Sequence, residues 1–142
     1  MFQRIITVVV LVPVILAALF APWPVRFQAL VLLGILLALS EFARLAQLTS
    51  RERFFFLLLG LLHGSFLLFS EKSAESVLLE GAGLLICLFV YHLRFHRDLP
   101  GAVPRIGLMA IGLFYIVSLA SFIGLLRGIG PEWVLLLFTT TW

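Results

Sequence analysis

The sequence predicts an all-α fold: a polytopic integral membrane protein with five complete transmembrane helices plus a truncated sixth. Three observations carry this. Apolar residues make up 63% of the 142 residues and charged residues only 12%, against roughly 45–50% and ~25% in soluble domains. One soluble core of this length cannot hide so much apolar surface. The apolar residues also gather into runs of bilayer-crossing length, and all ten basic residues lie outside them: Arg4, Arg26, Arg44, Arg51, Arg53, Lys72, Arg94, Arg97, Arg105 and Arg127. At the bilayer centre each would cost at least ~2.5–3.5 kcal/mol, so their segregation marks the helix ends.

The first helix is predicted over 5–21. Arg4 before a long apolar run also fits a cleaved signal peptide, but no small-x-small pair ends the run and Pro22 follows Ala21 directly. A retained helix is therefore expected. Pro22 and Pro24 around Trp23 predict a tight hairpin with the indole at the interface. The second helix is predicted over 27–48. Its apolar part, Phe27–Ser40, continues at the interface through Glu41 to Leu48, with Glu41, Arg44 and Gln47 on one arc and Phe42, Leu45 and Ala46 on another. The third, 54–69, is short at ~24 Å, which leaves open whether it spans fully, tilts or re-enters.

Ser70-Glu71-Lys72-Ser73 separates it from the fourth helix, 77–93. Asp98-Leu99-Pro100-Gly101 and Pro104 are read as breakers before the fifth, 106–126. Gly128-Ile129-Gly130-Pro131 precedes the sixth, 132–142, whose eleven residues reach about half way across a ~30 Å hydrocarbon layer. A helix stopping there predicts that the chain is the N-terminal part of a longer membrane protein. No linker has the length of a soluble domain and no internal repeat occurs, so 1–142 is read as one transmembrane unit.

Orientation follows from the basic residues. Arg4, then Arg44, Arg51 and Arg53, then Arg94, Arg97 and Arg105 fall on one side, against Arg26, Lys72 and Arg127 on the other. Seven against three predicts a cytoplasmic N-terminus, provided every segment spans.

Few residues carry chemistry. Cys87 is the only cysteine, so no intrachain disulfide and no thiolate metal cluster can form. Glu80 lies just inside the fourth segment and is read as interfacial. Glu41 and Arg44, one turn apart, are read as a local ion pair or an aid in binding a lipid phosphate. His63, between Gly60 and Gly64, is read as a helix-packing residue at a small-xxx-small contact. His92 and His96 have the i, i+4 spacing of two metal ligands, but no carboxylate accompanies them, and no metal site is predicted. No phosphate-cradling glycine loop, nucleophile elbow or nucleic-acid patch occurs.

Gln3-Arg4-Ile5-Ile6-Thr7 before an apolar helix containing Pro13, Ser40-Glu41-Phe42-Ala43-Arg44-Leu45 at the end of the second helix, and Gly112-Leu113-Phe114-Tyr115-Ile116 through Leu125-Leu126-Arg127 before a Gly-Pro turn occur in that order. The chain thereby resembles the N-terminal part of bacterial phosphatidate cytidylyltransferases (CDP-diacylglycerol synthases). The resemblance implies a multi-pass nucleotidyltransferase of the bacterial inner (cell) membrane. It would join CTP to phosphatidic acid for phospholipid biosynthesis, with Mg²⁺ as cofactor. In that family an Asp-containing motif, a Ser/Pro/Lys-rich signature and the metal-binding acids come later than position 142. No catalytic or metal-binding residue is therefore assigned here, CTP is expected to bind elsewhere, and residues 1–142 alone are expected to be inactive. Arg4, Glu41 and Arg44 remain as headgroup-binding candidates. The expected partners are membrane lipids, phosphatidic acid among them, and not nucleic acid; a homodimer is left open. The alternatives are half of a small-solute transporter, which the charge-free apolar runs disfavour, and a non-catalytic membrane scaffold.

Overall fold

A computed structural model describes residues 12–70, 73–95 and 99–141. Among the described residues every regular element is helical and there is no strand. The order is α1 (described over 12–19), α2 (Pro24–Leu45), α3 (Ser50–Phe69), α4 (Ala74–Phe95), α5 (Leu99–Ile111), a π-helical segment (Gly112–Val117), α6 (Ser118–Ile129) and α7 (Pro131–Thr141). Among the described residues four stretches are long and apolar enough to cross a membrane: Pro24–Leu45, Ser50–Phe69, Ala74–Phe95 and the continuous Gly101–Ile129. Of the six predicted segments, the remaining two correspond to α1 and the eleven-residue α7. Residues 5–11 of the predicted first helix, and Trp142, lie outside the described residues.

Helix boundaries differ from the sequence expectation for local reasons. α2 ends at Leu45, before the predicted Leu48. Gln47 adopts a left-handed φ of 51°; its N–H bonds the Arg44 carbonyl at 3.1 Å, and the Leu48 N–H reaches back to Ala43 at 3.0 Å. This is the paired hydrogen bonding of a Schellman stop, and it turns the chain at once into the next helix. α3 starts at Ser50 rather than 54 because Thr49 and Glu52 form a capping box. Its 20 residues then span about 30 Å, the full hydrocarbon thickness. α4 likewise starts at Ala74, three residues before the predicted start. Pro100 and Pro104 do not break the fifth segment. Pro100 lies in the first turn of α5, where no N–H is needed, and Pro104 sits inside the helix one turn later.

Neighbouring helices fix the direction of the bundle. Phe42 stacks on Phe56, centroids 5.8 Å apart, while Gln28 near the other end of α2 donates Nε2–H to the Leu68 carbonyl at 2.9 Å. α2 and α3 are therefore antiparallel. Arg105 meets Glu52 at one end, and Gly124 lies against Leu68 at the other, so α3 runs parallel to the long α5–α6 helix. Between them Leu39 fills the space beside Gly60, and Leu32 and Ile35 lie against Gly64. The small-xxx-small spacing thus lets α2 approach α3 closely. The core joins Ile35, Leu39 and Ala43 of α2, Phe56, Leu59 and Leu68 of α3, Leu84 and Leu88 of α4, and Ile106, Met109, Leu113 and Val117 of the long helix. A second cluster, Leu19, Phe27 and Val134, joins α1, α2 and α7. At that end Arg127 donates from Nε to the Leu19 carbonyl at 3.2 Å and from Nη2 to Ala21 at 2.7 Å, satisfying carbonyls at and just beyond the end of α1.

Candidate functional site

The bundle has two unlike ends. The C-termini of α2 and α4 and the N-termini of α3 and α5 meet at one end, where Arg44, Arg51, Arg53, Arg94 and Arg105 gather; Arg26 and Arg127 lie at the other. The basic end is pinned by Glu52, whose side chain is only 1% exposed. As the third residue of α3 it accepts hydrogen bonds from the Thr49 N–H and hydroxyl, both at 2.8 Å. Arg105 Nη1 adds bonds to both carboxylate oxygens at 2.8 and 2.7 Å. A buried carboxylate is tolerated only when so fully paired. One side chain thus caps α3 and ties it to α5. The sequence reading had passed over Glu52, although Thr49-x-x-Glu52 before an apolar run is the capping-box signature.

Glu41 and Arg44 sit together on the last turns of α2, 3.6 Å apart and 71% and 64% exposed. With Leu45 they edge a shallow, open recess. So exposed a pair contributes little to stability, and both side chains are free to meet an outside ligand. Arg4, the third headgroup candidate, lies outside the described residues. At the same end of the bundle, α3 and α4 border an open cleft of about 380 Å³, lined by Ser50, Arg51, Phe54, Phe55, Tyr91 and Phe95.

Deeper in the bundle, His63 of α3 is 3% exposed and faces Glu80 of α4, itself 19% exposed. Nδ1–H donates to the carboxylate, with both oxygens at 2.9 Å. Phe114 packs edge-on against the imidazole at 5.7 Å, and the buried Nε2 has no hydrogen-bond partner among the described residues. Because α4 begins at Ala74, Glu80 lies nearly two turns inside the helix. It has a partner on α3, a contact that the sequence alone does not reveal. His92 is fully buried and uses Nδ1–H on the Leu88 carbonyl at 3.0 Å; its predicted companion His96 lies outside the described residues.

Among the described residues no three His, Cys, Asp or Glu side chains come together to hold a metal ion. Glu52 is saturated by Thr49 and Arg105, Glu80 faces His63, and Glu41 faces Arg44. The described carboxylates therefore do not fit a Mg²⁺ site. What the arrangement offers is a row of guanidinium groups at one end of an apolar bundle. Such a row suits phosphate held at a membrane surface.

Searches of the curated proteins and of the solved structures each found no match. The family model described as the cytidylyltransferase family matches residues 2–142. That stretch takes in the Ser40–Leu45 helix end and the whole helical bundle, and the chain accordingly belongs to this family of CTP-using nucleotidyltransferases.

Proposed function

We propose that the chain serves a CTP:phosphatidate cytidylyltransferase, making CDP-diacylglycerol and pyrophosphate for phospholipid synthesis in a bacterial cell membrane. Family membership across residues 2–142 carries the reading. The exposed cations at one end of a lipid-embedded bundle support it, because phosphatidic acid presents its phosphomonoester at that depth. In the reaction a phosphate oxygen of phosphatidic acid attacks the α-phosphorus of CTP in line. The bond from that phosphorus to the bridging oxygen breaks, and pyrophosphate departs with the electron pair.

Arg44 holds the lipid phosphate by charge-assisted hydrogen bonds, and Glu41, its neighbour, keeps the guanidinium directed along the helix end. The Glu52–Arg105 pin keeps the helix ends at one level, so that the cations face the same headgroup layer. A divalent cation such as Mg²⁺ would neutralise charge on the triphosphate; the described residues form no site for it. The positive-inside bias puts this basic end at the cytoplasmic face, where CTP is available.

The test is transfer of radiolabelled CMP from CTP to phosphatidic acid in mixed micelles by the product of the gene's whole reading frame. Labelled CDP-diacylglycerol with equimolar pyrophosphate is expected. Absence of CTP-dependent transfer to this lipid overturns the reading. Residues 1–142 by themselves are expected to release no pyrophosphate.

A further inference from the structure

We propose that the cleft between the basic ends of α3 and α4 seats one anionic phospholipid, its acyl chain against the aromatic walls and its phosphate between Arg51 and Arg94. The seat is separate from the Glu41–Arg44 recess and does not depend on the cytidylyltransferase reading.

Its shape follows from how α4 is held. α4 packs chiefly on α5 and touches α3 at few places. One is the His63–Glu80 hydrogen bond, and another is the Phe55–Tyr91 stack, with centroids 4.0 Å apart and planes 9° off parallel. Around that stack the helix ends part. The space left is about 380 Å³ and opens outward, within the roughly 300–1,000 Å³ of small-molecule sites. Phe54, Phe55, Tyr91 and Phe95 wall it, and Tyr91 and Phe95, 5.1 Å apart at i, i+4, make one continuous stripe on α4. These rings offer flat apolar surface at the level where an acyl chain leaves its headgroup.

Charge complementarity selects the occupant. Arg51 lines the cleft, and the Arg94 guanidinium lies 5.7 Å over the ring of Phe95, one of the cleft's walls. Neither has a carboxylate partner among the described residues, whose ion pairs are Arg44–Glu41, Arg105–Glu52 and His63–Glu80. The carboxylate nearest Arg51 in sequence, Glu52, is bonded by Arg105 and Thr49. Two cations with no carboxylate partner among the described residues, beside an apolar slot, match a molecule with a negative head and a hydrocarbon tail. A zwitterionic lipid would bring a choline cation against the same two guanidinium groups.

The experiment is native mass spectrometry of the chain released from nanodiscs of phosphatidylcholine and phosphatidylglycerol in equal amounts, with no CTP present. One phosphatidylglycerol is expected to be retained per chain, in preference to phosphatidylcholine. Arg51→Gln is expected to lower its apparent affinity about tenfold, the loss of one charge-assisted hydrogen bond. Arg53→Gln makes the same change in net charge on the same helix but does not line the cleft, and it is expected to retain the lipid. Equal retention of the two lipids, or equal loss in the two variants, overturns the proposal, because either marks diffuse attraction to a basic surface. Nucleotide is absent from the assay, so its failure would leave the enzymatic reading standing.

Discussion

Replacing His63 or Glu80 separates a packing contact from a polar one inside the bundle. The pair is buried on the histidine side, 3% exposed against 19% for Glu80, and the nitrogen lies 2.9 Å from both carboxylate oxygens. In soluble proteins, removing one partner of a buried pair costs about 3–5 kcal/mol. Interhelical hydrogen bonds within membranes contribute less, about 0.6 kcal/mol on average and about 1.7 at most. The lower scale applies here. Glu80 is six residues from the start of α4, about 9 Å along the axis, where water drawn in from the headgroups relieves an abandoned carboxylate. The bifurcated geometry and the buried ring place the pair toward the upper part of that scale.

A double-mutant cycle of His63→Ala and Glu80→Ala is therefore expected to give a coupling energy of about 1–1.5 kcal/mol, or roughly a five- to tenfold change in the unfolding equilibrium. His63→Ala alone should cost more than the coupling, because it also strips the ring from Phe114. The assay is reversible unfolding in mixed micelles by titration with a denaturing detergent, followed by far-ultraviolet circular dichroism. A coupling below about 0.3 kcal/mol, the ordinary error of additivity, refutes the pair as an energetic link between α3 and α4.

Arg105→Ala removes the guanidinium that bonds both oxygens of the buried Glu52 carboxylate. A loss of about 2 kcal/mol is expected, below the soluble buried-pair range because the arginine itself is partly exposed. Arg44→Ala, which breaks an exposed pair, should cost under about 0.5 kcal/mol in the same detergent titration, and equal losses would contradict the pinning role of Glu52. A methyl group added at Gly112 would meet the Phe42 and Phe56 rings at 2.6 and 2.8 Å. Gly112→Ala is thus expected to destabilise by about 1–3 kcal/mol despite alanine's better helix propensity. At Gly34 nothing lies within 4 Å, so Gly34→Ala should raise stability by about 0.5–1 kcal/mol. Thermal melts of the two variants moving in the same direction would refute the account of the packing around Gly112.

The helical character and the helices long and apolar enough to cross a membrane were legible in composition and in the placement of arginines, because lipid excludes charge from long apolar stretches. Local stops and starts were less so. Arg51 and Arg53 read as loop because they are charged, yet Thr49 and Glu52 begin the helix ahead of them. Pro100 and Pro104 read as breakers, yet Pro100 falls in the first turn, where a proline loses little, and the helix continues through Pro104. Pairings between helices left no trace in the sequence. Glu80 is 17 residues from His63, and Glu52 is 53 from Arg105; only the bundle brings them together. For the headgroup candidates, the spacing of Glu41 and Arg44 on one helix was enough to foresee their contact, whereas the aromatic cleft needs two helices to exist.

The π-helical segment Gly112–Val117 governs how the fifth segment is phased. Its inward residues Met109, Leu113, Val117 and Ser121 follow one another at intervals of four. In an uninterrupted α-helix those twelve residues would turn about 1,200°, drifting about 120° off three full turns and carrying Ser121 and Gly124 around to the lipid. The wider turn absorbs that drift and holds a single buried stripe from Ala102 to Gly124. The segment thus works like the splice in a screw thread: its length, more than its composition, keeps the two halves meshed with the same neighbours. The gain or loss of one residue there would index α6 by about 100° against α3 without changing a single contact residue.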